Sequence, residues 1–324
     1  MKKNILITSA GRRVSLVRFF QIELQKFFPE AKVYTTDANP EYAAACRVSD
    51  GFFKVPRVTD PNYINLLLEL VLSHNIKLII PTIDTELLVL SQNIDFFQSK
   101  GVTIVVSDFE TVKIFRDKRL THNFFAKYAI GFAKEYTKDN YDLPLYIKPY
   151  DGSRSVDNFI IRTQEQLTDY HFANEKLMFL EYLDHKKHTE FTIDLYYDKT
   201  SVLKCLVPRQ RIEVRDGEVN KAVTKQAFFI PEIWEKMKYI AGFRGCITFQ
   251  VFVNLDTQQI YGIEINPRFG GGYPLSYLAK ANFPEWIIRE YLLQEEELPV
   301  CDNWEKNLMM LRYDDEILVP NFDC

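Results

Sequence analysis

No C-x-x-C pair occurs in the 324-residue chain, whose five cysteines (Cys46, Cys205, Cys246, Cys301 and Cys324) are scattered and odd in number. That spacing argues against a zinc knuckle or a disulfide frame and fits reduced thiols in a cytoplasm. No segment approaches the ~18 uninterrupted apolar residues of a membrane span. The opening MKKNILITSAGRR closes its short apolar run with Arg12 and Arg13, so it reads as a first strand rather than a signal peptide. A net charge of −4 leaves no positive surplus for binding nucleic acid. The G-x-G-x-x-G fingerprint of dinucleotide binding is missing, which weakens an oxidoreductase reading. The five histidines form no H-x-x-x-H metal pair, and no Ser/His/Asp or Cys/His set stands out for nucleophilic catalysis. These absences lead us to expect a cytoplasmic protein with neither a membrane nor a nucleic-acid partner.

What is present is ordinary globular material, 47% hydrophobic and 26% charged, in a chain long enough for two or three domains. The first third alternates strand and helix patterns. Apolar runs at 4–8, 32–36, 51–55, 77–81 and 102–107 are separated by helical periodicity over 14–27, 61–74 and 84–99. Such alternation predicts a parallel sheet covered on both faces, with ligands gathering near Ser9–Arg13, Asp37 and Thr82–Glu86 at the strands' carboxyl ends. Within SAGRR, Arg12 is either a substrate contact or half of a solvated basic pair on a tight turn. From about residue 110 the pattern changes to a helical region (108–128), strands flanking a small-residue loop, a helix near 163–174, and then long strands joined as antiparallel hairpins.

The chemistry concentrates in GIEINPRFGGGYP, residues 262–274. If the preceding turn centres on Thr257, Gln250 lies directly opposite Glu264, and Asn266 shares its face. One carboxylate and two amides then offer oxygen ligands that suit a magnesium–triphosphate site, with Arg268 placed just beyond for phosphoryl charge. An exposed hairpin face ending in an Asn-Pro turn is the plainer alternative. Lys148 ends an apolar strand before the loop 151–155, where Gly152, Ser153 and Ser155 let backbone N–H groups approach phosphate oxygens. Lys118, on a basic helix, is a second candidate cation. Glu181, Tyr182 and Leu183 form a linker whose backbone can recognise an adenine, and Glu190 can accept ribose hydroxyls. Arg209 and Arg211, with Arg215 further along, alternate on one strand face and could clamp a substrate carboxylate or simply meet solvent.

In this order the segments resemble the ATP-grasp superfamily, in particular its carbamoyl-phosphate-synthetase-like branch. The motifs that carry the likeness are Q250…E264-I-N266-P-R268, K148-P-Y-D-G-S-R-S and E181-Y-L…E190-F-T-I-D. The resemblance implies mixed α/β and α+β architecture: a Rossmann-like pre-ATP-grasp domain over 1–110, then an ATP-grasp module over 111–324, divided near 182. It implies Gln250, Glu264 and Asn266 on a pair of Mg²⁺ ions, for which Mn²⁺ can substitute, and Lys118, Lys148, the 151–155 loop, Glu181, Tyr182, Leu183 and Glu190 on ATP. Arg268 would serve the transferred phosphoryl group, and Arg12, Arg209 and Arg211 the substrate. The implied reaction activates a carboxylate as an acyl phosphate and lets an amine displace phosphate. The acid would be an amino acid or small carboxylate, and the protein could form a homodimer. The chain corresponds to one synthetase-like unit, without a second unit or an amidotransferase region. The alternative is an inactive ATP-binding subunit with a regulatory or assembly role, which retention of all four residues Gln250, Glu264, Asn266 and Arg268 disfavours.

Overall fold

Fully apolar runs at the start of the chain have one stable placement, in the middle of a parallel sheet with helices on both sides. The computed structural model describes residues 3–152, 156–215 and 217–322 and shows this arrangement. Strands β1 (Asn4–Ile7), β2 (Val33–Asp37), β3 (Gly51–Lys54), β4 (Ile76–Ile80) and β5 (Thr103–Ile104) form a parallel sheet in the order β3-β2-β1-β4-β5. All four residues of β1 are buried. Helix α1 (Val14–Phe27) seats Leu16, Val17, Phe20 and Leu24 in the core, and α2 (Ala44–Val48) and α3 (Tyr63–Ser73) follow. The winding direction reverses between β1 and β4, so the loops after these strands frame the crevice where ligands bind in such sheets.

Two expected helices are each broken in two. The 84–99 pattern divides at Asn93 into α4 (Asp84–Gln92) and α5 (Ile94–Gln98). The 108–128 region divides at Asp117, which leaves helical geometry after α6 (Phe109–Arg116) and caps α7 (Lys118–Lys127) by accepting the Arg119 N–H. That break puts Lys118 at the first position of α7. The expected strand at 102–107 shrinks to the two residues of β5, and the 163–174 helix to a single turn and a short helix, Asp169–Ala173.

Downstream, β6 (Gly131–Phe132), β7 (Glu135–Tyr136), β8 (Leu145–Pro149), β9 (Phe159–Ile161) and β10 (Leu177–Glu181) precede β11 (His188–Tyr197), β12 (Leu203–Arg215), β13 (Glu218–Thr224), β14 (Gly245–Asn254), β15 (Ile260–Asn266) and β16 (Met309–Leu311). They make a four-stranded sheet, β7-β10-β8-β9, and a seven-stranded sheet, β16-β13-β12-β11-β14-β15-β6. The segment 111–182 is therefore shared. Its strands β7–β10 form the small sheet, whereas β6 joins the large one and Phe124 and Phe125 of α7 enter the large sheet's core.

Strict two-residue alternation gives the large sheet two unlike faces. Phe191, Ile193, Leu195, Ile247, Phe249, Val251 and Ile265 point into one apolar core. Their neighbours in sequence bring Glu190, Thr192, Asp194, Arg209, Arg211, Thr248, Gln250, Glu264 and Asn266 to the opposite face through the pairings of β11, β12, β14 and β15. Among the described residues no helix is long and apolar enough to cross a membrane.

Candidate active site

On the polar face, Gln250 pairs directly with Glu264 and Thr248 with Asn266, the register expected from the hairpin count. A bulge after Gln250 shifts the pairing only on the turn side, so Val251 meets Gly262. The Asn266 Nδ2 donates to Glu264 Oε1 (2.9 Å), and among the described residues Glu264 Oε2 and the side-chain Asn266 Oδ1 take no hydrogen bond. The Gln250 Oε1 accepts from Arg211 Nη1 (3.2 Å), and the same nitrogen lies 3.0 Å from Glu190 Oε1. Among the described residues no group of three His, Cys, Asp or Glu side chains could hold a metal alone. A cation here would have to be shared between Glu264, amide oxygens and ligand oxygens. That hard-oxygen donor set fits magnesium carried in with phosphates.

The small sheet supplies the opposing charge. On β8, Leu145 and Ile147 turn into a core while Tyr146 and Lys148 take the other face, opposite Leu180 and Met178 of β10. Lys148 is buried and, among the described residues, makes no hydrogen bond or ion pair. Burial, then the nearby Lys118 ammonium, pull its pKa down to about 8 against the opposing pull of Glu264. Lys118 is lowered in the same way by burial, again opposed chiefly by Glu264, and its Nζ donates to the Gly152 carbonyl (2.6 Å). Two neighbouring ammonium groups that both feel the Glu264 carboxylate form a cationic pair suited to phosphate oxygens. Ser153 and Ser155 of the proposed closing loop lie outside the described residues.

At the end of β10 the Glu181 N–H donates to the Lys134 carbonyl (2.8 Å) and the Tyr182 N–H to Pro144 (3.4 Å). The N–H of buried Leu183 has no partner among the described residues and remains available to a ligand. Glu190 is the third residue of β11 rather than its first, because the strand begins at His188. It lines a cleft of about 440 Å³ with His185, His188 and Arg211. Burial raises its carboxyl pKa, with Arg211 opposing.

The arginines separate into different roles. Arg209 is fully buried and forks onto Asp194 (Nε–Oδ2 2.7 Å, Nη2–Oδ1 3.0 Å), while Ser276 Oγ donates to the same carboxylate (2.5 Å). The carboxylate it clamps belongs to the chain itself, and Arg211 likewise holds Glu190. A side chain on Gly272 would collide with the Arg209 guanidinium, which accounts for one of the three consecutive glycines. Arg12 is exposed and reaches Glu218 only at 4.0 Å, and Arg215 pairs with Asp314. Arg268 sits past the end of β15, where Thr248 Oγ1 donates to its carbonyl (2.9 Å). The Arg268 guanidinium is bidentate to Asp84 (2.9 and 2.6 Å), the first residue of α4. Asp84 belongs to one of the loops expected to gather ligands, although no motif singled it out.

Cutting the Arg209–Asp194 pair strands a buried charge, so Asp194→Ala should lower unfolding free energy by about 3–5 kcal/mol, whereas replacing both partners, Asp194→Leu with Arg209→Met, should cost far less. Urea unfolding of the two variants measures the difference. Equal losses would show that the pair does not behave as a desolvated unit.

Two family models match this architecture. Residues 5–105 match the PylC-like N-terminal domain, and residues 173–311 match the ATP-grasp domain described as belonging to the biosynthetic pathway with the Ter operon. The chain carries an ATP-grasp domain over residues 173–311. Solved structures share its fold over almost its whole length. A Campylobacter jejuni biotin carboxylase in complex with βγ-ATP superposes with a TM-score of 0.71 at 12% identity, covering 95% of this chain and 74% of that one. The Staphylococcus aureus N5-carboxyaminoimidazole synthetase complexed with ADP gives 0.71 at 16% identity, covering 96% and 81%. An L-amino acid ligase from Bacillus licheniformis gives 0.67 at 14%, covering 90% and 74%. No curated protein matches the chain by sequence. Lys148 lies on the small sheet and Glu264 on the polar face of the large one.

Proposed function

We propose that the chain is an ADP-forming carboxylate–amine ligase that uses ATP with Mg²⁺. The observation that carries this reading is the charge set around Glu264, a carboxylate on the polar face of the large sheet whose field acts on Lys118, Lys148 and Arg268. Lys148 and Lys118 hold the phosphates, with Gly152 and its loop closing over them. The Leu183 N–H and the neighbouring Glu181 and Tyr182 backbone meet the adenine, with Met178 and Leu180 as apolar walls, and Glu190 faces the ribose. Glu264, Asn266 and Gln250 hold the magnesium, which when bound supplies charge neutralisation between the phosphate groups. Arg268, kept rigid by Asp84, offsets the charge that spreads over the phosphoryl group as the substrate carboxylate attacks it. An amine then displaces phosphate from the acyl phosphate, so the site needs no side-chain nucleophile. The similarity in fold to an amino acid ligase and to a carboxyaminoimidazole synthetase supports the reaction class.

The test is release of ADP and phosphate from ATP against a panel of amino acids and small acids, each with and without an amine and with and without magnesium. Turnover that needs both a carboxylate and the metal is expected. ATP binding without stimulated turnover under any combination would instead leave an ATP-binding subunit.

Lys148 provides a separate check on nucleotide binding. Its pKa of about 8 lies below the ordinary lysine value, and a phosphate placed against it must raise that value. The complex therefore binds more protons than the free protein above pH 8, and affinity should fall as pH rises from there, by at most about tenfold per pH unit. Calorimetry in buffers of different ionisation enthalpy should detect proton uptake on ADP binding at pH 8.5 but little at pH 6.5. Lys148→Met should abolish the uptake.

A further inference from the structure

The crevice between the β1 and β4 loops contains a cation that the chain does not neutralise. The β1–α1 loop turns sharply, with Ser9 and Gly11 both at φ 49°, and delivers Arg13 as the cap of α1. The Arg13 guanidinium is largely enclosed, with its Nη1 against Gly271, where a side chain would lie 3.3 Å away. Its electrostatic neighbours are Arg268, Glu218, Asp84 and Arg312.

Both carboxylates among these neighbours already hold another arginine. Asp84 takes both of its hydrogen bonds from Arg268, and Glu218 accepts from Arg312 Nη1 (2.9 Å) with Arg12 nearby. Asp37, at the end of β2, spends its oxygens on the backbone N–H groups of Gly11 and Asn39 (3.2 and 3.0 Å). The Arg13 guanidinium makes no hydrogen bond or ion pair among the described residues. Burial, followed by the repulsion of Arg268, lowers its pKa to about 10. Four guanidinium groups thus face two carboxylates around a cleft that opens beside the phosphoryl-transfer arginine. A buried, unpaired planar fork is matched best by a carboxylate, which takes two parallel hydrogen bonds from it.

We propose that Arg13 grips a carboxylate that takes no part in bond formation, carried on one of the two substrates: either the acid, which is then a dicarboxylate, or the amine, which is then an amino acid. The assignment rests on the ligase reading of the adjoining site and narrows its substrates to those with a spectator anion. Gly271 belongs to the device, because it lets the guanidinium approach the main chain. Arg312 holds Glu218 and the Gly271 carbonyl, so that Glu218 acts on Arg13 through its field without a hydrogen bond to it.

Calorimetric titration of protein saturated with Mg–ADP tests the proposal and separates the two sources. If the acid carries the spectator group, succinate should bind about tenfold or more tighter than butyrate, the worth of one charge-assisted hydrogen-bonded contact. If the amine carries it, glycine should bind correspondingly tighter than glycinamide in the presence of butyrate. In either case Arg13→Gln should erase the preference and Arg13→Lys, which keeps the charge but loses the fork, should retain part of it. Mg–ADP affinity should stay unchanged in both variants. The proposal is overturned if neither preference exists in the wild type, or if the preference survives in Arg13→Gln or is undiminished in Arg13→Lys. Should Mg–ADP fail to bind to the wild type, the ligase reading falls, while succinate and glycine titrations of nucleotide-free protein still decide the role of Arg13.

Discussion

Glu264→Ala should reduce ATP turnover by about a thousandfold, the loss expected when some 4 kcal/mol of preorganised charge stabilisation is removed. The fold should survive. Glu264 is half-buried on the polar face of β15, and its one hydrogen bond comes from Asn266, whose amide can turn to water in the cleft. Strand pairing with Gln250 is made by the backbone and does not need the carboxylate. The substitution also removes the negative charge that both Lys118 and Lys148 feel. Free ADP should therefore bind at least as well as before, while the gain in affinity from magnesium disappears. Thermal melting, ADP release and ADP titrations with and without Mg²⁺ measure these three quantities. Wild-type turnover in the variant would refute the metal assignment, and loss of the cooperative melt would mean that Glu264 serves the fold.

Arg268→Ala should cut turnover by about a hundredfold to a thousandfold, the range for removing one preorganised group that stabilises developing charge. ATP affinity should change far less, because in the proposed site Lys118, Lys148 and the Leu183 linker carry the nucleotide. A shift of similar size in both would make Arg268 a binding residue only. Its pairing with Asp84 adds a structural consequence. Asp84 begins α4, where the helix N-terminus favours a negative charge, and it pins the arginine through two hydrogen bonds. Burial alone would depress the Arg268 pKa, but Asp84 outweighs it and raises the value. Removing the arginine leaves a partly buried carboxylate without its partner, at about 1–3 kcal/mol of stability. Asp84→Asn keeps the cation and loosens its aim. This variant should show a smaller fall in turnover, with ATP affinity again preserved.

How much of the site could be read in advance follows from the range of the interactions involved. Strands repeat every two residues, so the alternation in CITFQVFVN and QIYGIEIN already assigned Gln250, Glu264 and Asn266 to one face. The bulge between Gln250 and Val251 left that assignment intact because it falls on the turn side. Lys148 was legible as the end of a strand before a small-residue loop, although its lack of a partner was not. Helix interruptions were misread at Asn93 and Asp117, since hydrophobic periodicity runs straight across a cap. Strand β13 escaped notice because EVNKAVT carries no clear alternation.

Local rules thus determined the parallel first sheet, the antiparallel module and the hairpin that pairs Gln250 with Glu264, since each depends on residues a few positions apart or joined by one turn. Only the tertiary structure decided which arginines are free. Asp84 meets Arg268 across 184 positions, and Glu218 meets Arg312 across 94. Arg209 turns inward to Asp194, fifteen positions before it on the neighbouring strand, while Arg13 is left without a counter-ion. A charged side chain looks the same in sequence whether it faces an opposite charge or an empty cleft. Its partner is set by how whole sheets dock, which is where the chemistry of this protein is settled.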